Sequence, residues 1–249
     1  MIDSPDRAPE SFLGGDLWLR QPARGTGYRA NVDALLLCRA ALALAPVEHA
    51  LDLGAGTGVV GLAFAVRGGA RRITLVERDP HAADLARQNA QPFASVNVIE
   101  NTVDAVRLHE PVDLVLCNPP YTPPSRGRTP REPRRALARQ GALEPFLRAT
   151  RHHLGSLPSR ALFLYPAADL ADFFLSAATT TLYPVALRFV HPRVDAAARL
   201  AIVTLAATPE AMTLQPPWWE WNGREREANL AAFLGAASRL APDTDQKKH

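Results

Sequence analysis

Lysine is almost missing from this 249-residue chain: of 28 basic residues, only Lys247 and Lys248 are lysine. With so many alanines beside it, the arginine excess reads as the codon bias of a GC-rich genome. A net charge of +3 and a pI near 9.2 are modest, so the total charge decides little and placement must carry any electrostatic argument. Cysteine is scarce too. Cys38 falls in an expected helix and Cys117 ends an expected strand, which offers neither a disulfide framework nor a metal-ligand spacing. Both read as reduced core thiols, and no metal is expected. Long apolar runs are also lacking: the stretch from Ala34 to Ala45 is interrupted by Arg39 and falls far short of the roughly 20 residues a membrane span needs. Met1 to Glu10 carries Asp3, Asp6, Arg7 and Glu10 with no apolar segment behind a basic head, so it is not a secretory signal. These absences point to a soluble cytoplasmic protein with no membrane partner, a monomer in the simplest case.

What is present fits one globular unit. Hydrophobic residues make up 47% and charged residues 21%, near globular averages, and the length suits a single α/β domain. Residues 1–48 read as a lead-in and helix, 49–206 as the core, and 207–249 as a C-terminal extension. A short extended piece at Leu17 to Leu19 and a turn-prone segment at Gly25 to Arg29 precede a helix with apolar residues at Val32, Leu35, Leu36, Ala40 and Leu42, stopped by Pro46. Short apolar strands follow at about 49–53, 72–76, 95–99, 112–117 and 160–165, alternating with helical stretches at about 59–68, 80–91, 136–154 and 167–178. Strands apolar on both faces and separated by helices make a mostly parallel, doubly wound, Rossmann-like sheet. Two β-rich runs at about 181–190 and 199–206 have no helix between them and are expected to close the sheet as an antiparallel hairpin.

The first strand of that series opens into Gly54-Ala55-Gly56-Thr57-Gly58, two residues after Asp52, and a helix starts at Val59. Glycines are needed where backbone approaches a ligand and a Cβ would occupy its space. A dinucleotide fingerprint would place its third glycine or alanine where Val59 stands. An acid two residues before G-x-G-x-G suits S-adenosylmethionine instead, with Asp52, Gly54, Gly56 and Gly58 as its loop. The next strand ends in Glu77, placed to accept the hydroxyls of a nucleoside ribose. After the third strand, Asn101 and Asp104 are both candidates for the adenine ring.

A second motif ends the fourth strand of the series: Cys117 runs into Asn118-Pro119-Pro120-Tyr121. The lone pair of an amide or a base amino nitrogen is delocalised into the adjacent π system and is a poor nucleophile. Hydrogen bonds from such an NH2 group to the Asn118 side-chain oxygen and the Pro119 carbonyl would draw the nitrogen towards tetrahedral geometry without any strong base. Pro119 and Pro120 fix the backbone, and Tyr121 offers a ring on which a planar group can stack. Asn118, at the strand end, also reaches the cofactor side.

With these motifs, residues 11 to 205 resemble the class I S-adenosylmethionine methyltransferases, and among them the bacterial tRNA(Val) adenine-37-N6 methyltransferases. The lead-in Phe12-Leu13-Gly14-Gly15 through Leu19-Arg20-Gln21-Pro22, then Gly27-Tyr28-Arg29 and Asp33 to Leu37, is similar to that family's, as is His191-Pro192-Arg193. The resemblance implies a seven-stranded sheet of order 3-2-1-4-5-7-6, with Tyr28, Arg29 and Asp33 near the cofactor or closing over it, and methyl transfer to the N6 of a tRNA adenine. Two segments depart from the family. After Tyr121 the chain carries Arg126, Arg128, Arg131, Arg134 and Arg135 against the single acid Glu132, an arginine-rich loop beside the catalytic turn that is placed to hold RNA phosphates. It reads equally as a basic loop shaped by codon bias. Beyond about residue 207, Trp218, Trp219 and Trp221 read as packing a C-terminal helix at about 224–238, with a stacking platform as the other reading. Rival substrates for the same chemistry are a release-factor glutamine, modified at N5, and an amino group of ribosomal RNA. The release-factor enzymes carry a helical N-terminal domain, for which the roughly fifty residues before the cofactor strand are too few.

Overall fold

The computed structural model describes residues 8–23, 29, 31–120, 133–156 and 158–235, with only the helical backbone of 133–142. Its central sheet is built from β3 (Val47–Leu53), β4 (Ala70–Glu77), β5 (Val96–Glu100), β6 (Leu114–Cys117), β7 (Arg160–Pro166), β8 (Tyr183–Arg193) and β9 (Leu200–Ala206). They lie in the order β5-β4-β3-β6-β7-β9-β8, which is 3-2-1-4-5-7-6 counted from β3. All run parallel except β9, which is antiparallel to both β7 and β8, as the hairpin reading required.

Helices cover both faces because every connection between neighbouring parallel strands crosses over. One face is packed by α1 (Val32–Ala41), α2 (Val59–Val66) and α3 (Pro80–Ala90), whose apolar residues form one core cluster with Ala50, Ile73, Leu75, Leu114, Leu162 and Ile202. The other is packed by α4 (Pro133–His153) and α5 (Leu170–Thr179) against Leu51, Leu53, Val115, Phe163 and Val203. Alternate residues of each strand serve the two clusters, as the pleat dictates. Asp113 pins the start of β3 to β6: its Oδ2 accepts from the backbone N–H groups of Glu48 and His49 at 3.1 and 2.9 Å.

The lead-in forms an antiparallel pair, β1 (Glu10–Phe12) and β2 (Leu17–Leu19). It meets the C-terminal segment where Gly14 and Gly235 touch; a Cβ on Gly235 would lie 2.5 Å from the Gly14 Cα.

Two expectations are corrected. α4 begins at Pro133, not near 136, because proline at the first helical position loses no hydrogen bond; Arg134 and Arg135 therefore stand on a helix and not in a loop. The C-terminal helix is shorter than expected, although Trp218 does pack in the core cluster that holds its Leu230 and Leu234. The tryptophans form a strand, β11 (Trp218–Asn222), parallel to β8, followed by β12 (Glu225–Arg226) and a short α6 (Ala228–Leu234). With β10 (Thr213–Leu214), also parallel to β8, these carry the sheet beyond its seven strands.

Candidate active site

The site begins where β3 and β6 leave the sheet side by side. Leu53 is paired with Cys117, so the next residues, Gly54 and Asn118, emerge from adjacent strands about 4.8 Å apart. From β3 the chain passes to β4 on one side, and β6 lies on the other. This is the switch point at which ligands bind to open α/β sheets, outside the carboxyl ends of the strands.

At the end of β3 the N–H groups of Gly54 and Ala55 both donate to the Val76 carbonyl, at 2.9 and 3.0 Å. The chain then turns through Gly54, Gly56 and Gly58 with φ of 72°, 57° and 89°, a left-handed region that costs any other residue strain. A Cβ at Gly54 would stand 2.9 Å from the Phe146 Cε1 atom of α4. Glu77, ending β4, holds this loop: one carboxylate oxygen accepts from Gly56 N–H and the other from Asp79 N–H, both at 2.8 Å. Each oxygen keeps a second lone pair that a hydroxyl can use. Asn101 lies beside Glu77, its N–H donating to the Glu77 carbonyl at 3.0 Å. Asp104 stands exposed further along, its carboxyl held below the usual range first by the Thr102 hydroxyl. Of the two adenine candidates, the fold brings Asn101 to the edge beside Glu77.

Asp52 lies beneath the turn. It is buried at 1% exposure and accepts from Gly61 N–H in α2 at 2.9 Å. Burial pushes its carboxyl up to about 7, against that hydrogen bond, and the charge of Glu77 adds to the rise. Asp52 thus ties the first turn of α2 to β3. The glycine turn, the acid at the end of β4 and the close approach at Gly54 fit a nucleoside cofactor of the S-adenosylmethionine type.

On the β6 side, Asn118 is half-buried, Pro119 buried and Pro120 exposed. Burial raises the Cys117 thiol beneath them well above its ordinary value and pushes that of Cys38 up to about 12, so neither is a nucleophile near neutral pH.

Three features escaped sequence reasoning. Asn89 of α3, buried, clamps the lead-in to the loop: its Nδ2 donates to the carbonyls of Arg20 and Thr57 at 3.1 and 3.0 Å, and its Oδ1 accepts from Arg20 N–H at 2.7 Å. Its signal was a polar residue in the apolar stripe of Ala83, Ala86 and Ala90. Phe146 becomes a neighbour of Gly54 only through tertiary packing. Arg199 forks between Asp33, bonded at 2.6 and 3.0 Å, and Glu220. Asp33 is therefore engaged in tying α1 to β11, and Arg29 bonds the Pro22 carbonyl and Glu10. Neither is brought to the glycine turn by these contacts. Tyr28, Tyr121, Arg126, Arg128 and Arg131 lie outside the described residues, as do the side chains of Arg134 and Arg135. Among the described residues no cluster of three or more His, Cys, Asp or Glu could hold a metal ion, and no helix is long and apolar enough to cross a membrane.

The Methyltransferase small domain family matches residues 32–140. The chain is 40% identical over 141 residues to a tRNA1(Val) (adenine(37)-N6)-methyltransferase of Aeromonas hydrophila, covering 54% of this chain and 51% of that protein. To its namesake in Porphyromonas gingivalis the identity is 32% over 168 residues, 62% of this chain and 65% of the relative. A release factor glutamine methyltransferase of Salmonella typhimurium is 35% identical over 114 residues, 42% of this chain and 41% of that one. The chain thus spans about half to two thirds of the tRNA1(Val) relatives' length and less of the third. Among solved structures, a predicted O-methyltransferase from Agrobacterium tumefaciens shares the fold with a TM-score of 0.59 at 23% identity, over 76% of this chain and 87% of that one.

Proposed function

We propose that this chain, which the Methyltransferase small domain family matches over residues 32–140, transfers a methyl group from S-adenosylmethionine to the exocyclic N6 of an adenine in tRNA. The observation that carries this reading is the pairing of Leu53 with Cys117, which sets the glycine turn and Asn118 on neighbouring strand ends.

When bound, S-adenosylmethionine supplies an activated methyl group on a sulfonium. Glu77 accepts the ribose hydroxyls with the lone pairs its backbone bonds leave, Asn101 meets the adenine ring, and Gly54, Gly56 and Gly58 leave room for close approach. Asp52 acts at one remove, by holding Gly61 and with it the start of α2. On the acceptor side, the amino group of the target base donates to Asn118 Oδ1 and to the Pro119 carbonyl. Both acceptors localise the nitrogen lone pair and fix its direction. The displaced proton leaves from an increasingly acidic ammonium to solvent, so no protein base is needed. Tyr121, by its place in the sequence, stacks the flipped base, and the arginines from Arg126 to Arg135 hold flanking phosphates. The protein is read as a single-domain cytoplasmic enzyme.

Incubation with labelled cofactor and, in parallel, unmodified total tRNA, ribosomal RNA and release factor tests the assignment. Label is expected in tRNA. Label confined to the release factor would move the same Asn118 chemistry to a glutamine amide, the reading that the Salmonella relative favours.

A further inference from the structure

The tryptophans of β11 are divided between the two faces of the sheet. Trp218 and Glu220 point to the α1 side: Trp218 joins the core there, with the guanidinium groups of Arg39 and Arg188 at 4.1 and 4.5 Å from its ring centroid, and Glu220 binds Arg199. By strand alternation Trp219 and Trp221 point to the opposite side. Both are only half-buried, and neither belongs to a core cluster.

Arginines stand beside Trp221. In the parallel pairing with β8, Trp219 stands beside His191 and Trp221 beside Arg193. Arg226 of β12 lies 4.4 Å from the Trp221 ring centroid. The acids of this edge, Glu220 and Glu225, alternate to the other face, Glu225 being paired with Asn222; Asp195 follows in the turn after β8. Two aromatic rings on one face, the second flanked by Arg193 and Arg226, on a strip of sheet without a carboxylate, complement a chain of stackable bases and phosphates.

The strip also stands at the right edge. β7 and β8 are both antiparallel to β9, so the end of β8 faces the same way as the end of β6. Cys117, Phe163, Val203 and Leu187 are successive partners across the sheet. Trp219, level with His191, therefore lies three residues further up, about 10 Å, and four strands across, about 19 Å, from Asn118. That separation falls within the roughly 4 to 16 nucleotides a single-strand platform covers.

We propose that Trp219 and Trp221, with Arg193 and Arg226, form a second RNA contact that stacks unpaired bases near the target adenine and holds their phosphates. This rests on the tRNA reading above. The test uses the full chain carrying Trp219→Ala and Trp221→Ala, with unmodified total tRNA and a short single-stranded oligoadenylate as probes. The tRNA dissociation constant and KM are expected to rise at least about tenfold. Oligoadenylate should quench tryptophan fluorescence in the wild type and not in the variant, while affinity for S-adenosylmethionine stays put. Phenylalanine at both positions should restore most of the affinity, separating stacking from misfolding, and Arg193→Gln should flatten the salt dependence. A double alanine variant that methylates tRNA with unchanged KM and unchanged quenching overturns the platform and leaves the tRNA reading standing. A wild type that neither binds nor methylates tRNA overturns both. A variant that turns a dimer into monomers while keeping its tRNA affinity assigns the face to a second protein copy and overturns the proposal as well.

Discussion

At Gly54 and Gly61 a single methyl group meets two different obstacles. At Gly54 the φ of 72° already costs an alanine about 1–2 kcal/mol, and the added carbon would press on the Phe146 ring beside the glycine turn. Gly54→Ala is expected to weaken S-adenosylmethionine binding by at least about tenfold in calorimetric titration. At Gly61 the methyl would stand 2.3 Å from the Leu75 Cδ2 atom, between α2 and β4. Gly61→Ala is expected to destabilise the fold by about 1–3 kcal/mol in urea denaturation, as overpacking does. A Gly54→Ala protein with full cofactor affinity would remove the turn from the binding site.

α4 shows how an element carries both packing and function. Leu143, Leu147 and Ala149 bury one face of it, and Phe146 reaches the glycine turn. Thr150 is buried completely, and its hydroxyl has no hydrogen-bond partner among the described residues. Thr150→Val keeps the shape and removes that desolvated group, so stability should rise by about 1 kcal/mol; a loss of similar size in denaturant titration would show that the hydroxyl is bonded. Other elements differ in how far the sequence disclosed them. β3, β4, β6 and β7 are continuous apolar runs between turn residues, and local pattern suffices to place them and the motifs at their ends. β11 is not of that kind. Trp218-Trp219-Glu220-Trp221 has no alternation of apolar and polar residues, because both faces carry aromatics and its one acid is consumed by Arg199; only pairing with β8 makes it a strand. Asn89 and Phe146 were hidden for the same reason, since α3 and α4 bring them to the glycine turn from 35 and 92 residues away by number from Gly54.

Across the described residues, the buried His49, His153 and Asp52 couple stability to pH in opposite senses. His49 and His153 are nearly inaccessible, and burial is the first cause holding both below the ordinary histidine value. His153 is fixed as the tautomer whose Nδ1–H donates to the Ala149 carbonyl at 2.8 Å, leaving Nε2 to accept from Leu108 N–H at 3.4 Å. The unfolded chain takes up these protons more readily, so the stability they secure is complete above about pH 6.5 and is lost as pH falls below it. Asp52 has the opposite sign. Its folded value near 7 lies above the ordinary 3.8, so its contribution is complete below that ordinary value and is lost as pH rises towards 7. Asp52→Asn removes only the second dependence. The gain in stability from pH 5 to pH 7.5, measured by denaturant titration, should be larger in this variant than in the wild type; an equal gain would mean that Asp52 ionises normally in the fold.

The reaction itself is decided by the nucleoside that acquires the methyl group. Unmodified tRNA incubated with wild-type protein and labelled S-adenosylmethionine, then digested to nucleosides and resolved by mass spectrometry, should yield labelled N6-methyladenosine. The same tRNA with Asn118→Ala should yield none, although that variant still binds the cofactor. Label on a ribose oxygen or a ring nitrogen, or undiminished N6-methyladenosine from Asn118→Ala, would contradict the account.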